Sequence, residues 1–204
     1  MTTSPGDDLP EPPEARTRWL LRYEAWLKLL ARLEIDQRFQ GKFSASDAVQ
    51  QTLLEAWRCW DQFRGDQEPV RLAWLRQILA HQLAHLARHY GATQKRDAGR
   101  ELSLEHTLAQ SAARLEGLLA DRGPSPSDVA IRREQQLRLA AVLEQLPADY
   151  REVIILRNLE ELTHEQIAER LGRSPGAIRM LWLRALAALR STLDSPSTDN
   201  AQVT

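Results

Sequence analysis

The side chains best suited to chemistry lie in THEQIAERLGRSPGAIRMLWLRALAALR, Thr163 to Arg190, where Arg173, Arg179, Arg184 and Arg190 occur with no acid among them. Guanidinium groups on the outer face of a helix can pair with guanine edges in a major groove, and the backbone N–H groups at that helix's start can meet phosphate. The chemistry on offer is therefore recognition of duplex DNA. A second set is His81, His85 and His89, at i, i+4 and i+8 on one helical pattern, a spacing that can bring two imidazoles to one metal. The stretch HQLAH lacks the glutamate of the HExxH pattern, and no carboxylate follows at ligand spacing. A polar helix face near nucleic acid is the better reading, with no metal, no cofactor and no catalytic residue expected. The single cysteine, Cys59, allows no intrachain disulfide and has no ligand partner at cysteine spacing.

The elements that must hold the arginines are written locally. Thr163 and Gln166 have capping-box spacing, Ile167 and Leu171 share one helix face, Ala168 leaves room for close approach, and Gly172 supplies the positive φ of a helix end. Ser174 and Pro175 then start a second helix. Its apolar stripe is Ile178, Leu181, Trp182, Ala185 and Leu189, which turns Ala177, Arg179, Met180, Leu183 and Arg184 outward. Turn chemistry, small residue, glycine and charge asymmetry agree on a helix-turn-helix, whereas an ordinary helix pair with a solvated face requires no such agreement.

Period-2 alternation is absent, and helical patterns recur along all 204 residues, so the fold class is all-α, in two small bundles. In the first bundle one helix spans about Arg16 to Glu34 on Trp19, Leu20, Tyr23, Trp26, Leu27 and Leu30. A second begins with Ser44 and Asp47 in capping arrangement and buries Val49, Leu53, Ala56, Trp57 and Trp60. A third, about Val70 to Tyr90, carries Leu72, Trp74, Leu75, Ile78, Leu79, Leu83 and Leu86. Residues 91–127 are rich in Gly, Ser, Arg and Glu, with a weakly amphipathic piece near Leu102 to Leu119, and read as a flexible linker. Helices follow over Val129 to Leu146 and Tyr150 to Leu159, ahead of the helix-turn-helix. The resulting division is 1–13 disordered, 14–90 first domain, 91–127 linker, 128–193 second domain and 194–204 disordered.

Net charge is −1, yet it is unevenly spread: Arg76 to Arg100 and Arg173 to Arg190 are each about +4, and the stretch between Glu134 and Gly172 is about −4. The proline-rich, acidic start MTTSPGDDLPEPPEA is unlike a signal peptide, and no run of about 20 apolar residues occurs, so a cytoplasmic protein without membrane insertion is expected.

Three stretches in order, SDAVQQTLLEAWR from Ser46, WLRQILAHQLAHLARHY from Trp74, and LPADYREVIILRNLEELTHEQIAERLG from Leu146, make the chain resemble the extracytoplasmic-function (group IV) sigma factors of the sigma-70 family. The likeness covers about Arg16 to Leu193, and RELSLE, SAARLEGLLA and the RSPGAIRMLWLRALAALR ending are similar to planctomycete members. It implies a region 2-like domain and a region 4-like domain, no catalysis, and RNA polymerase core (clamp and flap) and promoter DNA as partners, with an anti-sigma factor as a further one. By position, it implies that Asp47, Gln50, Gln51 and Glu55 meet the polymerase clamp, although composition alone reads them as a solvated face. Phe63 and Arg64 would belong to the loop that captures a flipped base of the −10 element, with Arg76, His81, His85 and Arg88 near the melted strand. Arg173, Ser174, Ala177, Arg179 and Arg184 would face the −35 groove, Arg173 toward phosphate. Relatives carry a polar Lys-Ser-Arg-like run where this chain has Arg179, Met180 and Leu181, so apolar contact to a thymine methyl replaces part of that readout. The rival is a helix-turn-helix regulator that binds an operator as a symmetric dimer without polymerase.

Overall fold

The computed structural model describes residues 13–38, 43–63, 68–90, 98–117 and 128–194, and every regular element among them is helical. Expectations for 1–12, for 195–204, for Arg64 and for 91–97 and 118–127 of the expected linker fall outside the described residues. The chain divides into two compact units, residues 1–137 and 138–204.

The first unit holds α1 (Pro13–Leu21), α2 (Glu24–Arg38), α3 (Ala45–Arg58), a 3-10 turn at Trp60–Gln62, α4 (Glu68–Tyr90) and α5 (Ala98–Gly117). The helix expected over Arg16 to Glu34 is broken at Arg22 and Tyr23. There the Tyr23 N–H bonds to the Leu20 carbonyl at 3.1 Å, three residues back, before α2 resumes on the Tyr23 carbonyl. The break lets Leu20 and Tyr23 both enter the core with Trp26, Leu27 and Leu30. α3 starts as its sequence requires: Ser44 Oγ accepts from the Asp47 N–H at 3.1 Å, and the Asp47 carboxylate accepts from the Ser44 N–H at 3.1 Å. Its buried stripe is Ala48, Val49, Thr52 and Ala56. Leu53 is only half-buried, and Trp57, expected in the core, is 44% exposed.

The stretch 91–127 contains α5, whose Leu104, Leu108 and Leu115 are fully buried. They recur at i, i+4 and i+11, one stripe of a helix, and that stripe packs on α4 and α2. The weakly amphipathic piece expected near Leu102 to Leu119 is thus a docked helix, and the reading of 91–127 as a flexible linker is corrected for residues 98–117. The unit boundary falls within α6 (Asp128–Gln145), after Leu137.

The second unit comprises the rest of α6, α7 (Ala148–Ile154), one wide π turn at Ile155–Leu159, α8 (His164–Leu171) and α9 (Pro175–Asp194). The π turn is closed by the Glu160 N–H on the Ile155 carbonyl at 3.0 Å. Val153, Ile154, Ile155, Leu156 and Leu159 are all buried around it. The Arg138 guanidinium donates to the Leu193 carbonyl at 2.8 Å, satisfying an open group at the end of α9.

Candidate nucleic-acid interface

In the second unit Thr163 Oγ1 accepts from the Gln166 N–H at 3.3 Å while Gln166 Oε1 accepts from the Thr163 N–H at 2.8 Å, which fixes the start of α8. α8 ends on Gly172 at φ +63°, and the Arg173 N–H reaches back to the Ala168 carbonyl at 3.0 Å, a Schellman closure that only a left-handed residue permits. Ser174 Oγ then accepts from the Ala177 N–H at 3.2 Å at the head of α9. Ile167 and Ala168 of α8 are buried, as are Ile178 and Ala185 of α9. Behind them the Trp182 ring N–H donates to Asn158 Oδ1 at 3.0 Å, and the His164 ring meets Trp182 edge-on at 5.5 Å. The wide turn of residues 155–159 is what carries Asn158 to this bond.

These contacts leave one side of α9 bare. Arg173, Ser174, Ala177, Arg179 and Arg184 are all exposed, and so are Met180 and Leu183 at about half their surface. The face is cationic with an apolar centre. Its arginines are not equivalent: Arg173 is paired with Asp149 at 2.6 Å, and Arg179 lies near enough to Glu165 to favour its charged form. The Glu165 carboxyl is held below its ordinary range, chiefly by a backbone N–H bond at the head of α8, then by Thr163.

The first unit offers two faces. On α3, Asp47, Gln50 and Gln51 are exposed and Glu55 is half-buried, but they do not present four open polar groups. Asp47 is committed to the Ser44 cap, whose hydroxyl and N–H hold its carboxyl below the usual range, and Glu55 accepts from Cys59 Sγ at 3.4 Å and pairs with Arg58 at 3.7 Å. Burial, then the Glu55 bond, pushes the Cys59 thiol up, so it stays protonated. The same face carries Leu54 and Trp57, each 44% exposed. The periodicity reading assigned Trp57 to the core and overlooked Leu54; their i, i+3 spacing beside Gln50 and Gln51 was the available signal.

The second face is an open groove of about 780 Å³ between the end of α3, the turn after it, α4 and α5. Phe63 is not a free edge there: it is 6% exposed and stacks on Trp74 with centroids 4.5 Å apart and rings 24° from parallel. The pair forms an aromatic wall, with Gln77 and His81 along α4 and Glu105 contributed by α5. His85 and His89 continue the exposed line of His81 along α4, while Arg76 and Arg88 are half-buried beside it. Among the described residues no group of three or more metal-ligating side chains is placed to hold an ion. No described helix is long and apolar enough to cross a membrane.

Comparison with known proteins places this geometry in a family. The family described as Sigma-70, region 4 matches residues 136–189, the stretch that holds α7, α8 and most of α9. The chain is 31% identical over 151 residues to the probable RNA polymerase sigma factor RfaY of Xanthomonas campestris pv. campestris, covering 74% of this chain and 34% of that protein. It is 31% identical over 150 residues to the ECF RNA polymerase sigma factor SigD of Mycobacterium tuberculosis, 74% of this chain and 63% of the relative. With the ECF RNA polymerase sigma-E factor of Salmonella typhimurium it shares 30% identity over 154 residues, 74% of this chain and 75% of the relative. The chain thus spans about a third and somewhat under two thirds of the first two relatives. A helix-turn-helix inside a region 4 match, preceded by a helical unit that the wider alignments also cover, assigns the whole: this chain belongs to the extracytoplasmic-function sigma factors of the sigma-70 family.

Proposed function

We propose that the chain is a non-catalytic, cytoplasmic subunit that binds core RNA polymerase and directs it to promoters, with the second unit reading a −35 duplex and the first engaging the melted −10 element. The observation that carries this is the exposed outer face of α9, free of acids from Pro175 to Arg190, where Arg179 and Arg184 flank Met180 and Leu183 at half exposure. Arginine supplies paired donors to guanine, and the exposed methionine and leucine suit a thymine methyl. Arg173 and the Ser174 cap sit at the start of α9, where a phosphate would complete the exchange of Arg173 from Asp149. In the first unit, Gln50, Gln51, Leu54 and Trp57 form the mixed face we assign to the polymerase clamp, a half-exposed aromatic beside an aliphatic group being a common anchor of interfaces. The groove beside Phe63 and Trp74 receives an unstacked base, for which an aromatic wall is the general requirement.

The test is multi-round transcription with core polymerase and a promoter library, with and without the protein. Defined start sites only in its presence establish the function; footprinting of free duplex by the protein alone, without core binding, returns it to an operator-binding regulator. Arg179→Ala should cost roughly 1–3 kcal/mol on matched −35 sequences and relax preference, whereas Arg173→Ala should weaken all sequences alike.

A further inference from the structure

The groove beside Phe63 and Trp74 has a chemical bias of its own. Its described lining contains no lysine or arginine; it is Glu55, Cys59, Gln62, Gln77, His81 and Glu105 around the aromatic and aliphatic surface. Such a lining is rich in hydrogen-bond acceptors. Of the two carboxylates, Glu55 is already engaged by Cys59 and Arg58. Glu105 is half-buried and makes no hydrogen bond or ion pair with the described residues. It is held in place because its neighbours on α5, Leu104 and Leu108, are fully buried against the bundle. A carboxylate fixed at the edge of an aromatic wall gains most from a ligand that presents N–H donors in the plane of a ring.

We propose that Glu105 is a specificity-determining residue of this groove, and that it selects an unpaired base bearing an exocyclic amino group, cytosine in the clearest case, over thymine or uracil. This rests on the promoter-melting function proposed above. The ring of the base packs along the Phe63 and Trp74 wall, and its amino group donates to Glu105. Uracil places a carbonyl oxygen at the position of that amino group, so two acceptors face each other and the desolvated carboxylate is left unsatisfied. The carboxylate that sets the preference is carried by α5, the helix packed on α4 and α2 in the first unit.

The experiment uses the full chain with core polymerase on promoters whose non-template −10 bases are changed one at a time from cytosine to uracil, which alters the hydrogen-bonding edge without a methyl group. Affinity for fork-junction DNA and start-site yield are both read. At one position wild type should lose about tenfold on cytosine to uracil, the scale of a hydrogen bond to a charged group. Glu105→Gln should bring that ratio within about twofold, because an amide can turn either its N–H₂ or its oxygen to the base. Helical content of the variant, measured by circular dichroism, should match wild type, since Glu105 is not part of the buried stripe. An unchanged ratio in Glu105→Gln, or no position sensitive to uracil, overturns the proposal while leaving the sigma function standing. Failure of wild type to initiate on any promoter overturns both.

Discussion

Gly172 and Gly176 are four residues apart, and the structure predicts opposite consequences for the same added methyl. Gly172 closes α8 at φ +63°, whereas Gly176 lies in the first turn of α9, and a Cβ at either meets nothing within 4 Å. Packing drops out, so only backbone terms remain. A left-handed conformation costs a residue other than glycine about 1–2 kcal/mol, partly offset by about 0.4–1 kcal/mol from the less flexible unfolded chain, so Gly172→Ala should destabilise the second unit by about 1 kcal/mol. Gly176→Ala has the unfolded-state gain without the strain and should stabilise by up to about 1 kcal/mol. For a domain of this size each kcal/mol is worth about 4–8 °C at the midpoint. Trp182 is the one tryptophan after residue 137, so 5-fluorotryptophan labelling with its ¹⁹F resonance assigned by Trp182→Phe reads this unit separately from the first. Shifts of the same sign in the two variants, or a neutral Gly172→Ala, would refute the Schellman closure as the device that sets the angle between α8 and α9.

Three further outcomes follow from single contacts. Asn158→Ala removes the acceptor of the Trp182 ring N–H, a part-buried bond of 3.0 Å, and should cost about 1–2 kcal/mol in urea unfolding of the second unit; a loss below about 0.3 kcal/mol would show that water replaces it. Asp149→Asn releases Arg173 from a 2.6 Å pair that is about half exposed on both sides, so stability should change by under about 0.5 kcal/mol, while holoenzyme affinity for matched and scrambled −35 DNA rises alike; a rise on matched DNA alone would make Arg173 a base reader. The Asp47 carboxyl is depressed by its bonds to Ser44, so its contribution is present at neutral pH, above its unfolded value, and is lost as pH falls through the depressed folded value. The unfolding midpoint of the first unit should therefore drop below the usual carboxylate range in wild type and be flatter there in Asp47→Asn, and identical pH profiles would remove the cap from the account.

What could be read directly from the sequence is what is decided within a turn of helix. The caps at Ser44, Thr163 and Ser174 and the glycine at 172 need partners only three to five residues away, and each stands in the structure with the bond its spacing implies. The outward side of α9 was also legible, because Ile178 and Ala185 set the inward direction and the arginines follow at fixed angles. Periodicity names the residues that share a stripe, but it does not say whether a neighbour covers that stripe. Trp57 lies on a helix rich in apolar residues and is still left to solvent, since α3 packs through Ala48, Val49, Thr52 and Ala56, whose small side chains bring α2 and α4 close on the other side. α5 is the converse case: polar composition suggested a linker, while Leu104, Leu108 and Leu115 carried a regular stripe through it.

That failure bears on function as well as fold. A segment judged by its mean polarity contributes charge at best, whereas a segment docked by three leucines can hold one carboxylate at a fixed place in a groove. Removing that docking without touching Glu105 separates the two views. Leu108→Ala, at a fully buried position, should cost about 2–5 kcal/mol and loosen α5, and if docking is what matters it should erase discrimination between cytosine and uracil as fully as Glu105→Gln does. If Glu105 acts only as a diffuse negative charge, Leu108→Ala at a temperature where the bundle stays folded will leave the discrimination intact, because a loosened α5 still carries the same charge near the groove.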